Sequence, residues 1–119
     1  MRKELLSPES FEEAVGEEIE ISSYFYLPMC ACVLRCPDDL EPDLIRRLLD
    51  DLRFADLASI IAAGELAIVF PNTSRETART VAERLLFIAP PGSTLRSADH
   101  EPDDTPGTLL ERARPEEPF

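Results

Sequence analysis

The sequence predicts an α+β sandwich of the ferredoxin-like type, in which a small antiparallel-containing sheet carries its helices on one face. The first observation is the order of the patterned segments, which runs helix, strand, helix, strand, strand, helix, strand and a short final helix. The second is a pair of apolar runs at residues 57–61 and 66–70 that meet at a short turn, as in a β-hairpin. One crossover before this hairpin and one after it produce a split βαβ sheet.

The first segment is predicted to be a helix followed by a central strand. Ser7 can cap the helix, while Pro8 and Glu9 suit its first turn, so the helix is expected to run from there to residues 22–23. Its apolar positions recur at helical spacing: Phe11, Ala14, Val15 and Ile19. Residues 29–35 are almost wholly apolar, which is typical of a buried central strand.

A second helix is predicted before the hairpin. Asp38 or Asp39 is available to cap it, and Pro42 fits its first turn. Its apolar positions form one stripe: Leu44, Ile45, Leu48, Leu49 and Leu52. We therefore expect this helix to connect the central strand to the hairpin.

The last part of the chain is predicted to contribute a helix, an edge strand and a short helix. Thr73 and Glu76 have the spacing of a capping box, which starts the third helix. The apolar stripe of that helix is Ala78, Val81, Ala82, Leu85 and Leu86. A short edge strand is expected at residues 94–98 and a final helix within residues 105–114.

Length and charge limit the possible functions. The 119 residues suit one domain, predicted at residues 1–114, with a frayed tail at residues 115–119. The formal net charge of −12 repels nucleic acid and anionic membranes, so neither is an expected partner. A small anion held by a local pair of arginines stays possible. Because we find no signal peptide and no apolar run of membrane-spanning length, we expect a cytoplasmic location.

Three cysteines lie close together at Cys30, Cys32 and Cys36. They are too few for a zinc site, and the single histidine, His100, is distant in sequence. Cys30 and Cys32 point to one face of the predicted central strand, where free cysteine packs as a small apolar residue. We therefore expect core packing and no metal.

Two charged groups near the end of the chain are expected to be solvated. The acidic residues of the loop at 99–104 lack the spacing and the glycine of a calcium loop. Arg75 and Arg79 lie one helical turn apart and are expected on the solvent face of the third helix. Neither group is predicted to form a site.

The residues around the predicted hairpin form a series of short motifs at defined spacing. "RFAD" is followed after five residues by "AAGEL", then by "AIVFPNTS" and a helix containing "AERL". This arrangement resembles the GGDEF family of diguanylate cyclase domains, which has RxxD, five residues, GGDEF, a strand and a helix at the same spacing. "LSPESFEEAVGEEIEIS" resembles its first helix and "LLERA" its last, so the resemblance covers most of residues 6–113. It implies a bacterial signalling domain with a GGDEF-type sandwich fold.

The resemblance also implies that catalysis has been lost. Members of the family join two GTP molecules into cyclic di-GMP, using glycines that admit the phosphates and acidic residues that bind Mg²⁺. Here the motif is degenerate, and its five positions hold Ala62, Ala63, Gly64, Glu65 and Leu66. The metal position on the first strand falls on Arg35, or on Asp38 or Asp39 if the alignment slides. The segment that recognises guanine has no counterpart, so we expect no cyclase activity and no cofactor.

The RxxD motif remains, as Arg53 and Asp56. In the family this pair forms the inhibitory site for cyclic di-GMP, and an arginine and a carboxylate can recognise guanine. The first functional hypothesis is therefore a cyclic di-GMP receptor. The alternative is a structural role for the pair, in which Arg53 ends a helix and Asp56 accepts hydrogen bonds from nearby backbone amides.

In that alternative the chain is a ligand-free module that forms a homodimer or binds a signalling protein. The three consecutive aromatic residues Tyr24, Phe25 and Tyr26 can either anchor such a contact or pack in the core. If their side chains are exposed, the interaction module is favoured. If arginines converge beside Asp56, the receptor is favoured.

Overall fold

The computed structural model describes residues 3–115, which form four helices and one four-stranded sheet. In chain order the elements are α1 (Pro8–Phe25), β1 (Met29–Arg35), α2 (Pro42–Asp50), β2 (Leu57–Ala62), β3 (Glu65–Pro71), α3 (Arg75–Ile88), β4 (Thr94–Asp99) and α4 (Pro106–Ala113). The predicted fold class and element order are confirmed. Apart from Pro115, the tail predicted at residues 115–119 lies outside the described residues.

The sheet has the strand order β2-β3-β1-β4, and every neighbouring pair is antiparallel. β1 and β3 are central, whereas β4 is an edge strand, as expected. The register pairs Met29 with Pro71 and Arg35 with Glu65. The turn between β2 and β3 therefore lies beside the end of β1.

Helices cover both faces of the sheet. On one face, α2 and α3 pack against Cys30, Cys32 and Leu34 of β1. On the other face, α1 and α4 pack against a set that includes Ala31 and Val33. The prediction of helices on one face holds for the two crossover helices, but α1 and α4 bury the opposite face. The predicted core positions of the cysteines are confirmed. No helix within residues 3–115 is both long and apolar enough to cross a membrane.

The predicted C-terminal end of α1 and the predicted N-cap of α2 differ from the structure. α1 continues past Ser22 to Phe25 and ends where Tyr26 takes the left-handed conformation, with φ 54°. The amide of Tyr26 then donates to the carbonyl of Ser22. α2 is preceded by Glu41, whose side chain makes no capping hydrogen bond, so the predicted caps at positions 38 and 39 are wrong.

The predicted capping box of α3 is also wrong. Ser74 is the N-cap, and its hydroxyl accepts from the amide of Thr77. Thr73 is instead buried, and its hydroxyl donates to the carbonyl of Pro71 at 2.7 Å. Leu86 is 40% exposed and does not belong to the buried stripe of α3.

Ser59 on β2 gives a testable prediction about stability. Its side chain is fully buried, and its hydroxyl has no hydrogen-bond partner among the described residues. Because an unpaired buried hydroxyl is costly, Ser59→Ala should raise the free energy of unfolding by about 1 kcal/mol in urea denaturation. Thr73→Val is the matched control, because it removes a buried hydroxyl that is hydrogen-bonded and should therefore destabilise the chain. Equal destabilisation by both variants would contradict the prediction.

Candidate functional site

The backbone that follows β1 packs against the turn of the hairpin. Ala63 and Gly64 connect β2 to β3, and Gly64 has φ +73°, a conformation that favours glycine. The amide of Cys36 donates to the carbonyl of Gly64 at 2.8 Å. A Cβ atom at Gly64 would lie 2.9 Å from the carbonyl oxygen of Cys36 and 3.1 Å from that of Asp38. This side of the turn thus presents hydrogen-bond acceptors, whereas a phosphate requires donors.

Glu65, the acid retained in the motif, is bound by two arginines. It is buried, and its carboxylate accepts from the Nε and Nη2 atoms of Arg114 at 3.0 and 2.9 Å. The Nη2 atom of Arg35, its partner in the β1–β3 register, lies 3.7 Å away. Hydrogen bonds from Arg114 hold the pKa of Glu65 below its usual value, against the opposing effect of burial. The carboxylate is therefore ionised, and its charge is compensated by the two arginines.

The residues around the hairpin do not fit a magnesium ion. The guanidinium of Arg35 occupies the place beside Glu65 at the end of β1. Asp38 and Asp39 are exposed in the loop that follows. Within residues 3–115 no group of three or more histidine, cysteine or acidic side chains is arranged to hold a metal. A dication beside Glu65 would have to displace at least one arginine.

Arg53 and Asp56 are brought together in the turn before β2. Asp56 is 1% exposed and accepts from the backbone amide of Arg53 at 2.8 Å and from its Nη2 atom at 2.9 Å. The same guanidinium also donates to the hydroxyl of Thr73. The pair therefore ties this turn to the end of β3. The structural alternative predicts that Asp56 accepts from a nearby backbone amide, but it does not predict the link to Thr73. Asp56 is buried in this pairing, and both of its carboxylate oxygens accept from Arg53.

Lys3 and Phe54 lie next to this pair. Phe54 is exposed, and the Nζ atom of Lys3 lies 5.9 Å from the centre of its ring. Lys3 also donates to the carbonyl of Phe54 at 2.6 Å. Partial burial lowers the pKa of Lys3, although the charge of Asp56 opposes this effect. One arginine and one lysine are thus near Asp56.

The Arg53–Asp56 pair and the hairpin turn lie at opposite ends of β2, roughly 20 Å apart.

The three aromatic residues after Ser23 form an exposed aromatic patch, consisting of Tyr24, Phe25 and Tyr26. Their exposed fractions are 77%, 61% and 93%. The rings of Tyr24 and Phe25 meet edge to face, with centroids 4.8 Å apart. The core-packing alternative for these residues is therefore wrong.

The helix that ends in the aromatic patch is strongly acidic. α1 contains neither lysine nor arginine. Its glutamates are Glu9, Glu12, Glu13, Glu17, Glu18 and Glu20. The patch is therefore an apolar surface at the end of an anionic helix.

A groove that the sequence did not predict lies between α3 and β4. Four arginines line it and define what we call the arginine groove: Arg75, Arg79, Arg96 and Arg112. Sequence patterns could not group them, because they lie on three elements. The only local sign is the one-turn spacing of Arg75 and Arg79, whose side chains are exposed on α3 as expected.

Comparison with protein-family models and with curated proteins finds no match. Solved structures do match. The GGDEF domain of YfiN from Pseudomonas aeruginosa has a TM-score of 0.79 at 18% identity, over 92% of this chain and 85% of that chain. The active GGEEF domain of a diguanylate cyclase from Vibrio cholerae has a TM-score of 0.80 at 12% identity, over 92% of this chain and 86% of that chain.

A third similar structure is the GGDEF domain of DgcB from Caulobacter crescentus in complex with cyclic di-GMP. Its TM-score is 0.74 at 14% identity, over 93% of this chain and 82% of that chain. Identities this low establish fold and not activity. Together with the element order and the strand register, they show that this chain has the α+β fold of GGDEF domains.

Proposed function

We propose that this chain is a non-catalytic, GGDEF-type regulatory domain that acts by binding a partner protein. The observation that carries the proposal is the exposure of the aromatic patch. Exposed aromatic side chains are enriched at the centres of protein interfaces. Three consecutive exposed aromatic residues, two of them in ring contact, support a contact surface here.

The geometry of the hairpin supports the absence of cyclase activity. Phosphoryl transfer depends on a metal ion and on positioned phosphates. Glu65 is already paired with Arg35 and Arg114, and the space beside Gly64 is bounded by two backbone carbonyl oxygens that a Cβ atom there would meet. Incubation of the purified chain with GTP and Mg²⁺ should yield no cyclic di-GMP by chromatography. Product formed at a rate proportional to enzyme concentration would contradict this part of the proposal.

The charge of α1 indicates the chemistry of the partner. Six glutamates and no basic residue precede the aromatic patch on this helix. A surface with an apolar cleft and a rim of lysine or arginine would complement both features. A second copy of this chain would bring like charges together, so we favour a different protein over a homodimer. As a precedent among similar structures, the diguanylate cyclase SiaD of Pseudomonas aeruginosa has been solved with its activator SiaC.

Site-specific photocrosslinking in cells tests this surface. A photoreactive residue at Tyr26 should give one discrete adduct, and Phe25→Ser should abolish it. The control position is Phe87 on α3, which is 91% exposed but distant in sequence from the patch. The purified partner should then bind with an affinity that falls as salt rises. The same adducts at both positions, or an adduct with the chain itself, would contradict the proposal.

The second candidate function is a cyclic di-GMP receptor at the turn before β2. Arg53 is half-exposed, and it lies beside the exposed ring of Phe54 and the ammonium of Lys3. A guanine base of cyclic di-GMP can stack on the ring of Phe54 while the phosphates of the ligand contact Arg53 and Lys3. In this arrangement Asp56 orients Arg53 and does not touch the ligand. The DgcB domain, which is similar in fold, was solved with cyclic di-GMP.

Calorimetric titration with cyclic di-GMP tests this second function. Phe54→Ala is the appropriate variant, because the exposed ring contributes little to folding. Saturable heat that is lost in Phe54→Ala would establish the receptor. The absence of heat in the unaltered chain would exclude it and leave the partner-binding proposal unaffected.

A further inference from the structure

We propose that the arginine groove binds a small phosphate-bearing ligand. The groove has a volume of about 620 Å³, which is within the range of small-molecule sites. Four of the twelve basic residues of the chain line it, although the net charge of the chain is −12. None of its lining residues belongs to the hairpin turn or to the Arg53–Asp56 pair.

Two of the arginines are held in position by carboxylates. Arg112 donates to both oxygens of Asp104 at 2.6 and 2.8 Å, and to the backbone carbonyl of Asp99 at 2.7 Å. The Nε and Nη2 atoms of Arg75 both donate to one carboxylate oxygen of Asp99. The other oxygen of Asp99 accepts from the thiol of Cys30 at 3.2 Å. A guanidinium has five donor hydrogens, so Arg75 retains three of them for an incoming anion. Arg112 also donates from Nη1 to the carbonyl of Thr108 at 3.5 Å and retains its Nε–H.

Arg79 lies one turn after Arg75 on α3. Its side chain is exposed and has no hydrogen bond or ion pair within residues 3–115. It can therefore turn towards a ligand without breaking an existing contact. Two fixed guanidinium groups and one free group suit a phosphate, because they can donate several charge-assisted hydrogen bonds to it.

The floor of the groove indicates what the rest of the ligand resembles. Ala78 and Ala82 of α3 and Leu95 of β4 contribute apolar lining on the α3 side of the sheet, whereas Ala98, which also lines the groove, packs with the cluster on the opposite face. Small apolar side chains leave room for a flat or aliphatic group beside the arginines. Three acids also line the groove, namely Glu83, Asp99 and Glu101, so the lining carries a net charge of only +1. The expected ligand is therefore a phosphate monoester with a small apolar body, not a long polyanion.

Nuclear magnetic resonance titration with phenyl phosphate tests the groove. We expect saturable shifts confined to α3, β4 and the Nε–H groups of the groove arginines. Arg79→Ala should weaken binding about tenfold, the effect of losing one charge-assisted hydrogen bond. Arg47→Ala is the matched control, because this exposed arginine lies on α2 outside the groove.

Three outcomes would overturn the proposal. Shifts that do not saturate would show that phenyl phosphate does not occupy a site. Equal weakening by Arg79→Ala and Arg47→Ala would show that only net charge matters. A hexaglutamate peptide that binds more tightly than phenyl phosphate, with shifts along the backbone of β4, would identify the edge strand as a peptide site instead.

Discussion

Replacing Arg53 with alanine is expected to lower the free energy of unfolding by roughly 2 to 3 kcal/mol, a large cost for a half-exposed side chain. The reason is Asp56, which is 1% exposed and relies on the guanidinium for charge compensation. In Arg53→Ala the buried carboxylate keeps only the hydrogen bond from the backbone amide of residue 53. The contact with Thr73 is lost as well. Urea denaturation at neutral pH measures the change.

A double-mutant cycle isolates the role of this pair. Asp56→Asn replaces the charge with a neutral group of the same shape that still accepts from the amide of Arg53. In that background, Arg53→Ala should cost less than about 1 kcal/mol, because no buried charge is left uncompensated. If Arg53→Ala costs less than about 0.5 kcal/mol in the unaltered chain, the pair behaves as an ordinary surface ion pair and the structural interpretation fails.

Gly64→Asp, which restores the acid at the third position of the family's motif, is expected to destabilise the chain by about 3 kcal/mol. The φ of +73° penalises any side chain by roughly 1 kcal/mol. The new Cβ atom would also lie 2.9 Å from the carbonyl oxygen of Cys36, so the backbone of the preceding loop must shift. The added carboxylate would then be close to two carbonyl oxygens. The shift in urea midpoint at constant slope reports the loss.

Two matched variants separate these contributions. Gly64→Ala keeps the φ penalty and the Cβ contact without adding charge, so it should cost less than Gly64→Asp. Ala63→Asp places the same side chain one residue earlier, at an exposed position without positive φ, and should change stability by less than about 0.5 kcal/mol. Similar losses for Gly64→Asp and Ala63→Asp would contradict the packing of the loop on the turn.

The strands and the order of elements could be predicted because their signals are local. A continuous apolar run identifies β1, and two such runs across a glycine-containing turn identify the hairpin. The start of α3 was missed because Thr73 and Ser74 are equally good caps by type. In the structure Arg53, twenty residues earlier, binds the hydroxyl of Thr73, and Ser74 is the N-cap. Only the tertiary structure could reveal that contact.

The candidate site was predicted less completely than the fold. The proximity of Arg53 and Asp56 follows from their short spacing, but the burial of Asp56 has no signal in that spacing. The pairing of Glu65 with Arg114 joins residues 49 positions apart and has no sequence signature. The arginine groove is a property of three elements that meet in space, so periodicity along any one of them could not indicate it.

The turn between β2 and β3 has a consequence for how the chain opens. The tip of a hairpin is ordinarily among the first parts of a sheet to fray. Here Gly64 is hydrogen-bonded to the chain just after β1, while Glu65 is held by Arg35 and by Arg114 at the end of α4. The tip cannot separate unless both of those segments move with it. The amide proton of Cys36, which donates to the tip, should therefore exchange with solvent mainly through global unfolding, so that the tip belongs to the same cooperative unit as the core.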